Sequence, residues 1–370
     1  MRRRRLLKAL VAGAAGSAAG DALAAVTHPP LPAGRSRWRM PDEAAPHRRT
    51  WMAFGASRQL WGRRLLPQVQ RNLATIAVAV AEHEPVSLLV PPAEVRRARK
   101  LVGAGVELVT CPLDDVWIRD TGPVFVVDGD GSTAGIDFNF NGWGNKQAHA
   151  ADARVAACVT RQAKARSIAT RLVLEGGAIE VDGDGTAILT ESCVLNDNRN
   201  PGLSKAALDA ALKPLLGLKR IIWLPGIAGR DITDGHTDFY ARFAAPGVVV
   251  AALEPDPRYF DYRVTRRHLE ILRAARDARG RRLRVAVLEA PRTVRPRFAG
   301  ADFAAGYVNF YVCNGAVLAP AFGDRRAHAA AKATLRELFP QRDVMQIDID
   351  ALAAGGGGIH CATLQEPAPA

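Results

Sequence analysis

Apolar and polar positions along the chain follow two alternating periods. Segments with a helical period lie at 65–83, 94–102, 151–165, 204–216, 264–279 and 326–338. Between them are short runs rich in Val, Ile and Leu, typical of buried strands, at 86–90, 106–109, 124–127, 187–190, 221–224, 248–253, 285–288, 308–312 and 317–320. This alternation predicts an α/β fold. Because no composition break or internal repeat divides residues 37–370, we expect them to form a single domain.

Two DGDG segments, at 128–131 and 182–185, interrupt this pattern between strand-like runs. The twelve-residue ladder of oxygen ligands that a calcium loop needs does not follow either of them. Asp-Gly pairs between strands are typical of tight β-hairpins. We therefore predict hairpin turns at both places.

The first 25 residues have the pattern of an export signal. Arg2, Arg3, Arg4, Arg5 and Lys8 precede a mildly apolar stretch of small residues that ends in the cleavage-like sequence at 22–24. Consecutive arginines in this context resemble a twin-arginine signal and predict export to the periplasm or the medium. The alternative is a basic leader on a cytoplasmic protein. Residues 26–36 predict a linker.

Composition limits the partners that the chain can have. Of its 370 residues, 48% are hydrophobic and 24% are charged, as in globular proteins. No run reaches the roughly 20 apolar residues of a membrane span, so we expect no stable membrane association after signal cleavage. The net charge of +13 raises the question of an acidic partner. However, the basic runs at 96–100, 279–284 and 292–297 lack interleaved aromatic residues, which favours solvated surfaces over a nucleic-acid site.

The cysteines and the common enzyme motifs exclude several classes of enzyme. No CxxC pair occurs among the five cysteines, which argues against zinc ribbons and thioredoxin-like sites. The odd count leaves at least one thiol free unless chains cross-link. GxGxxG, GxxxxGK[ST], HExxH and GxSxG are all missing, which disfavours dinucleotide enzymes, P-loop NTPases, zinc proteases and serine hydrolases.

Four polar segments stand out in this apolar chain. The segment 114–123 holds three carboxylates and an arginine, and its alternative interpretation is a solvated turn. Glu175 ends an apolar run beside two glycines. His236 and Asp238 are two positions apart, so in an extended segment both side chains would face one side. Cys361 follows four glycines, and we interpret this as a nucleophile at the rim of a flexible loop.

These groups together favour a guanidinium substrate. A cysteine protease would not suit them, because a surplus of carboxylates would repel the oxyanion that forms during acyl transfer. A guanidinium is planar, pairs with carboxylates, and has a carbon that sulfur can attack. His360 neighbours Cys361, but adjacent side chains in an extended segment point in opposite directions. We therefore prefer His236 as the acid/base partner.

Eight ordered blocks carry a family resemblance over residues 40–367. The chain resembles the agmatine deiminase / bacterial (Porphyromonas-type) peptidyl-arginine deiminase family, of the guanidino-group-modifying (pentein) superfamily. The blocks are MPDEAAPHRRTWMAF (40–54), DDVWIRDTGP (114–123), FNFNGWGNK (138–146), LEGGAIEVDGDGT (174–186), LNDNRNPGLSK (195–205), DITDGHTDFYARF (231–243), YVNFYVCNGAVLAPAFGD (307–324) and GGGGIHCATLQEP (355–367).

The resemblance implies a fold and a set of roles. The expected fold is a five-bladed α/β propeller, the pentein fold, built from ββαβ-like units. Cys361 would be the nucleophile, His236 the general acid/base, and Asp120 and Asp238 the guanidinium clamp. The substrate pocket would be lined or covered by Glu175, Trp117, Asp114 and Trp143. The reaction would need neither a metal nor another cofactor.

Several functions stay open. The first is conversion of agmatine to N-carbamoylputrescine and ammonia through a covalent thiouronium, a reaction of putrescine and polyamine synthesis. The second is deimination of arginine in peptides, because Gly229-Arg230-Asp231 replaces a more acidic run and residues 147–156 lack an expected Tyr or Trp. An amidinotransferase and a non-catalytic guanidine-binding protein are further alternatives. The oligomeric state also stays open, a homo-oligomer included.

Overall fold

A computed structural model describes residues 38–369, and the predicted export signal (1–25) and linker (26–36) lie outside this range. The described residues form five small sheets. Their strands are β1 (Trp38–Arg39), β2 (His47–Ala53), β3 (Val86–Val90), β4 (Glu107–Thr110), β5 (Val124–Asp128), β6 (Thr133–Asp137), β7 (Arg166–Ala169), β8 (Glu180–Val181), β9 (Thr186–Thr190), β10 (Arg220–Leu224), β11 (Ala241–Ala245), β12 (Val248–Leu253), β13 (Arg284–Glu289), β14 (Tyr311–Val312), β15 (Ala316–Ala321), β16 (Asp343–Asp348) and β17 (Thr363–Pro367).

Helices connect these strands. The α-helical segments are α1 (Arg58–Ala81), α2 (Val95–Val102), α3 (Ile118–Thr121), α4 (Gly142–Asn145), α5 (Val155–Gln162), α6 (Glu191–Val194), α7 (Lys205–Leu216), α8 (Tyr262–Ala274), α9 (Arg325–Leu338) and α10 (Asp350–Ala353). Short 3₁₀ turns lie at Pro92–Glu94, Asp152–Arg154, Gly176–Ala178, Thr237–Phe239 and His360–Ala362. None of the helices in residues 38–369 is both long and apolar enough to cross a bilayer.

Each sheet repeats one unit. In the third sheet, β11 and β12 are antiparallel, α8 crosses over, and β13 returns parallel to β12. The same order appears for β14, β15, α9 and β16, and again for β5, β6, α5 and β7. A parallel return needs such a crossover, since a tight turn can only reverse the chain. Five of these units form the five-bladed α/β propeller that the resemblance implies.

The last strand closes the ring of blades. β17 pairs antiparallel with β2, the first long strand, and β3 and β4 complete this sheet. The buried Trp51 of β2 donates its indole N–H to Glu366 of β17 at 2.8 Å. This pairing holds the segment that follows Cys361 against the beginning of the domain.

Helix α7 illustrates how sequence period becomes packing. Its buried residues follow the i, i+4, i+7, i+8 spacing of one helix face and pack in the apolar core beside the sheet of β8, β9 and β10: Leu208, Leu212, Leu215 and Leu216. Burial of each leucine contributes roughly 1.5–3 kcal/mol. Ser204 caps the first turn by accepting from the Ala207 amide at 3.2 Å, and Gly217 ends the helix at φ 69°.

Most predicted elements are confirmed, with shifted ends. The strands at 86–90 and 248–253 match, and both DGDG segments are hairpin turns, joining β5 to β6 and β8 to β9. The predicted strand at 308–312 is wrong in extent: only Tyr311–Val312 is a strand. Asn309 instead closes a turn, because its backbone N–H donates to the Gly306 carbonyl. Strands with mixed polar residues, including β2, β7 and β17, were not predicted.

Candidate active site

Three of the four polar segments meet at Gly177, beside Glu175. A Cβ atom placed on Gly177 would lie 2.6 Å from His236 Nδ1, 2.8 Å from Asp120 Oδ1 and 3.2 Å from Asp238 Oδ2. One imidazole and two carboxylates therefore border the same small volume. Only glycine leaves that volume free.

The fourth segment brings the thiol to the same place. Cys361 lies in the 3₁₀ turn His360–Ala362, and its S–H donates to Asp238 Oδ2 at 3.5 Å. The Asn309 amide donates to the sulfur at 3.4 Å. Burial raises the pKa of Cys361 well above its ordinary value, and the charges of Asp238 and Asp120 raise it further. The sulfur is thus a neutral thiol until a cation offsets those carboxylates.

The two aspartates differ in their free hydrogen-bonding capacity. Asp120 accepts from the Gly177 amide at 3.1 Å and from the Trp143 indole at 2.9 Å. Asp238 Oδ2 contacts His360 Nδ1 at 2.7 Å, while its buried Oδ1 has no partner among residues 38–369. Burial, followed by the neighbouring carboxylates, raises the pKa of Asp120. Burial opposes ionisation of Asp238, but the hydrogen bond from His360 lowers its pKa.

His236 faces two ways. Its Nδ1 lies 3.7 Å from Asp120 Oδ1, on the side of Gly177, and its Nε2 lies 3.2 Å from Glu175 Oε2. Arg199 Nε holds both oxygens of Glu175 at 2.9 Å. Burial favours the neutral imidazole, yet the charge of Asp120, then Cys193 and the contact with Glu175, outweigh it and raise the pKa of His236 well above its ordinary value. These surroundings therefore favour the protonated ring.

His360 has no nitrogen facing the Gly177 volume. Its Nδ1 contacts Asp238 at 2.7 Å and its Nε2 contacts Glu43 at 2.9 Å. Glu43 also pairs with Arg119 at 3.0 Å and with Arg242 at 2.7 Å. All these groups are buried. His360 thus links the aspartate beside the thiol to an internal ion network.

The acidic segment 114–123 divides between different sites. Asp120 joins the cluster, whereas Asp114 accepts from the amides of Ala151 and Asp152, the first of these at 2.7 Å. The Asp115 carboxylate accepts from Trp61 at 2.8 Å and from a glutamine, and burial raises its pKa to about 6. Asp114, predicted to line the pocket, therefore makes its contacts away from the cluster.

Trp117 and the four-glycine loop are packed together. The Trp117 ring lies 5.8 Å from the Trp61 ring. A Cβ on Gly357 would overlap Trp117, and one on Gly355 would overlap Trp61. These two glycines therefore allow the backbone to approach two indole rings closely, and the flexibility expected of this loop stays a prediction.

Trp143 reaches the cluster from a tightly turned segment. It has φ 55°, in the left-handed region that non-glycine residues seldom adopt, and is buried. Its ring meets Phe140 edge-on at 5.0 Å, and its indole N–H donates to Asp120. Trp143 therefore occupies one acceptor of the predicted clamp.

The local conformations differ from the extended ones expected. His236 is extended, but Thr237–Phe239 forms a 3₁₀ turn, and His360–Ala362 forms another. Curved backbone, rather than the alternation of an extended segment, therefore brings His236, Asp238 and Cys361 together.

Several contacting residues were not predicted. Asn309, Arg199, Glu43 and Arg242 hold the thiol, the histidines and the carboxylates in place. Asn309 had a signal, an amide inside the apolar run 308–312. Glu43 and Arg242 had none, since a charge near a strand end is ordinarily solvated. All five cysteines are free thiols.

The sequence pattern of the Porphyromonas-type peptidyl-arginine deiminases matches residues 39–367. The chain belongs to this family. A Streptomyces coelicolor relative, provisionally named agmatine deiminase, is 44% identical over 340 residues, covering 89% of this chain and 99% of its own. The agmatine deiminase of Pseudomonas aeruginosa (strain LESB58) is 37% identical over 355 residues, covering 90% of this chain and 96% of its own.

A solved family member shares the fold. The structure of the Enterococcus faecalis agmatine deiminase superposes with a TM-score of 0.84 at 30% identity, covering 90% of this chain and 96% of that one. The family members are hydrolases of C–N bonds. The groups beside Gly177 (Cys361, His236, Asp120 and Asp238) are a thiol, a histidine and two carboxylates, which suit such chemistry.

Proposed function

We propose that the protein is an agmatine deiminase that hydrolyses agmatine to N-carbamoylputrescine and ammonia. The observation that carries this proposal is the convergence of Asp120, His236 and Asp238 on the space beside Gly177, with the Cys361 thiol 3.5 Å from Asp238. This arrangement suits a planar cation with an electrophilic carbon. Relatives named for agmatine support the choice of substrate.

Substrate binding activates the nucleophile. The unpartnered Oδ1 of Asp238 and the carboxylate of Asp120 accept N–H groups of the guanidinium. The bound cation offsets the two charges that keep the Cys361 pKa high, so the thiol loses its proton to solvent and becomes a thiolate. A cationic substrate thereby creates the nucleophile that attacks it.

The first half-reaction releases ammonia. The thiolate adds to the guanidinium carbon and forms a C–S bond. His236, protonated on Nδ1, donates that proton to an unsubstituted amino group, the C–N bond breaks, and ammonia leaves. The product is a cationic thiouronium bound to Cys361, with Asp120 and Asp238 as its counterions.

The second half-reaction releases the ureido product. His236, now neutral, accepts a proton from water, and the resulting hydroxide adds to the same carbon. The C–S bond then breaks, the carbonyl forms, and the hydroxyl proton returns to the departing thiolate. Glu175 and Arg199 keep the imidazole oriented through both steps, since they hold Nε2 on the side away from substrate.

Arginine in peptides is the second candidate substrate. Arg230, in the loop before His236, is exposed, and its guanidinium lies 6.0 Å from the ring of the exposed Phe260. A cation there disfavours the amine tail of agmatine and is compatible with the carboxylate or backbone of a peptide.

A ureido assay on the full-length protein tests this proposal. Agmatine, free arginine and an arginine-containing peptide are supplied side by side, with Cys361→Ala as the blank. We expect product from agmatine in the wild type and none in the variant. Product from the peptide alone would instead establish a peptidyl-arginine deiminase. Loss of ureido product on addition of a competing amine would indicate an amidinotransferase.

The location of the protein is a separate proposal. We propose export by the twin-arginine route, supported by the arginines at 2–5 and the small-residue stretch that follows. Fractionation of cells that make the native chain should find it outside the cytoplasm. Replacement of Arg2–Arg5 by lysine should retain it inside, and equal cytoplasmic amounts of both forms would contradict export.

A further inference from the structure

Behind His236, on the side away from Gly177, lies a second group of chemically versatile side chains. Glu175, Cys193 and His236 each offer one ligand atom, and these atoms all lie within 4.8 Å of one another. The Cys193 thiol is 3.8 Å from Glu175 Oε2, and His236 Nε2 is 3.2 Å from the same oxygen. The proposed deimination uses Nδ1 of His236, and Cys193 has no role in it.

From this geometry we infer an inhibitory site for a thiophilic divalent cation, with Zn²⁺ as the best match. Thiolate, imidazole and carboxylate are the three ligand types that zinc takes in proteins, at about 2.0–2.3 Å. Such bond lengths separate neighbouring ligand atoms of a tetrahedron by about 3.3–3.8 Å. The separations from Glu175 Oε2, 3.2 Å to His236 and 3.8 Å to Cys193, are close to that geometry, and the third pair lies within 4.8 Å.

Proton and charge balance favour the exchange. The Cys193 S–H and the His236 Nε2–H each lose a proton as Zn–S and Zn–N bonds form, so two protons leave when one Zn²⁺ enters. Glu175 Oε2 supplies a third bond and a water completes the tetrahedron. The net charge of the cluster does not change. Arg199 gives up its contact with Glu175 Oε2 to the metal and keeps its contacts with Glu175 Oε1 and Asp234, both at 2.9 Å.

The surrounding charges set the pH dependence. His236 faces Asp120 and Glu175, and Cys193 faces Glu175, Arg199 and His236. Protons and the metal compete for the same ligand atoms, so acidification weakens zinc binding.

Zinc at Nε2 would stop the proposed reaction. The metal takes the lone pair on Nε2 and keeps the only ring proton on Nδ1. The neutral, metal-bound ring is too weak an acid to protonate the leaving amino group, and its protonated Nδ1 has no lone pair to take a proton from water. This consequence rests on the proposed function, but binding of the metal does not. Because all three side chains are buried, we expect inhibition to develop with time.

The experiment separates binding from inhibition. Co²⁺, which replaces Zn²⁺ and gives a thiolate charge-transfer band, is added to the full-length wild type and to Cys193→Ser, Cys361→Ala and Cys313→Ser. We expect the band in all proteins except Cys193→Ser, and its loss when Zn²⁺ is added. Cys313 is the matched control, a buried cysteine whose thiol contacts the Ala316 carbonyl. If Cys193→Ser does not fold, Cys193→Ala replaces it.

Activity gives the second readout. Zn²⁺ should inhibit the wild type reversibly by chelation, and the half-inhibitory concentration should be at least tenfold higher in Cys193→Ser, each measured against that protein's own metal-free rate. A band that persists in Cys193→Ser and disappears in Cys361→Ala would overturn the inference and place the metal on the nucleophile. A band that depends on Cys193, in a protein that is inactive on agmatine, arginine and the peptide, would support the metal site and contradict the proposed function.

Discussion

His236 and His360 are both buried and both lie between two carboxylates, yet their surroundings differ. His236 touches Glu175 through Nε2 and leaves Nδ1 3.7 Å from Asp120, beside the Gly177 volume. His360 has both nitrogens within 2.9 Å of a carboxylate. A ring nitrogen can exchange protons with substrate only where no closer partner holds it.

The ion networks behind the two rings differ as well. Glu43, behind His360, pairs with two buried arginines, Arg119 and Arg242. Glu175, behind His236, pairs with one arginine of residues 38–369, Arg199. From this difference we infer that adjacency to Cys361 in sequence does not decide the acid/base role, that His360 positions Asp238, and that His236 is available for proton transfer. Four predictions test this comparison.

The largest effect should come from removal of the proton-transfer ring. His236→Asn should lower kcat for ureido formation by about 10²- to 10⁴-fold, because general acid–base catalysis contributes that much. Steady-state kinetics measures it, with a thermal melt as the control for folding. A His236→Asn enzyme close to wild type beside an inactive His360→Asn enzyme would reverse the assignment.

The network behind His360 should matter first for stability. Arg242→Ala leaves Glu180 buried without its arginine and removes one of the two arginines that pair with Glu43, which costs about 3–5 kcal/mol of unfolding free energy. Denaturant titration measures the loss. Arg258→Ala, which breaks an exposed pair with Asp256, is the matched control and should not move the midpoint. Equal shifts of the midpoint in both variants would mean that the buried network contributes no more to stability than an exposed ion pair.

The volume beside Gly177 should tolerate no side chain. Gly177→Ala would force His236 Nδ1 and the two aspartates apart, and displacement of about 1 Å can cost about 10²-fold in rate. The expected loss is in kcat/KM. Gly105→Ala is the control, since a Cβ there meets no atom within 4 Å. An unaffected Gly177→Ala enzyme would show that substrate does not bind in this space.

The smallest effect should be a shift in pH dependence. The hydrogen bond and the charge of His360 lower the pKa of Asp238, so His360→Asn should raise that pKa. Ionised Asp238 is needed to bind the guanidinium, so the acidic limb of kcat/KM against pH should move upward. The alkaline limb, set by the raised pKa of His236, should stay in place because activity there is lost as that ring deprotonates. An unchanged acidic limb would contradict a positioning role for His360.

Much of the fold was predictable because buried strands and amphipathic helices leave local patterns. The run at 248–253 is apolar throughout, the run at 86–90 is apolar except for Ser87, and both match their strands. Strand β17 carries the polar residues Gln365 and Glu366. Both can be buried because Arg119 donates a hydrogen bond to Gln365 and Trp51 donates one to Glu366. Its pairing with β2 depends on residues far apart in the chain, and no local pattern records that pairing.

The candidate site divides in the same way. Cys361 and His236 could be singled out from the residues themselves, whereas the choice of Asp120 and Asp238 as the clamp came from the family resemblance. Asp114 and Asp120 look alike in sequence, yet one binds loop amides and the other borders Gly177. Only the folded chain separates them, because each carboxylate takes the nearest donor that closure of the propeller supplies.

By itself, the sequence determined the α/β alternation and the hairpin turns, which depend on neighbours within a few positions, and its resemblance to a known family named the reactive groups. The tertiary structure alone decided that five units close into a ring, that both nitrogens of His360 contact carboxylates while His236 Nδ1 lies beside Gly177, and that Cys193 joins Glu175 behind it. Protonation and hydrogen bonding depend on distances between segments, and those distances exist only after the blades have packed.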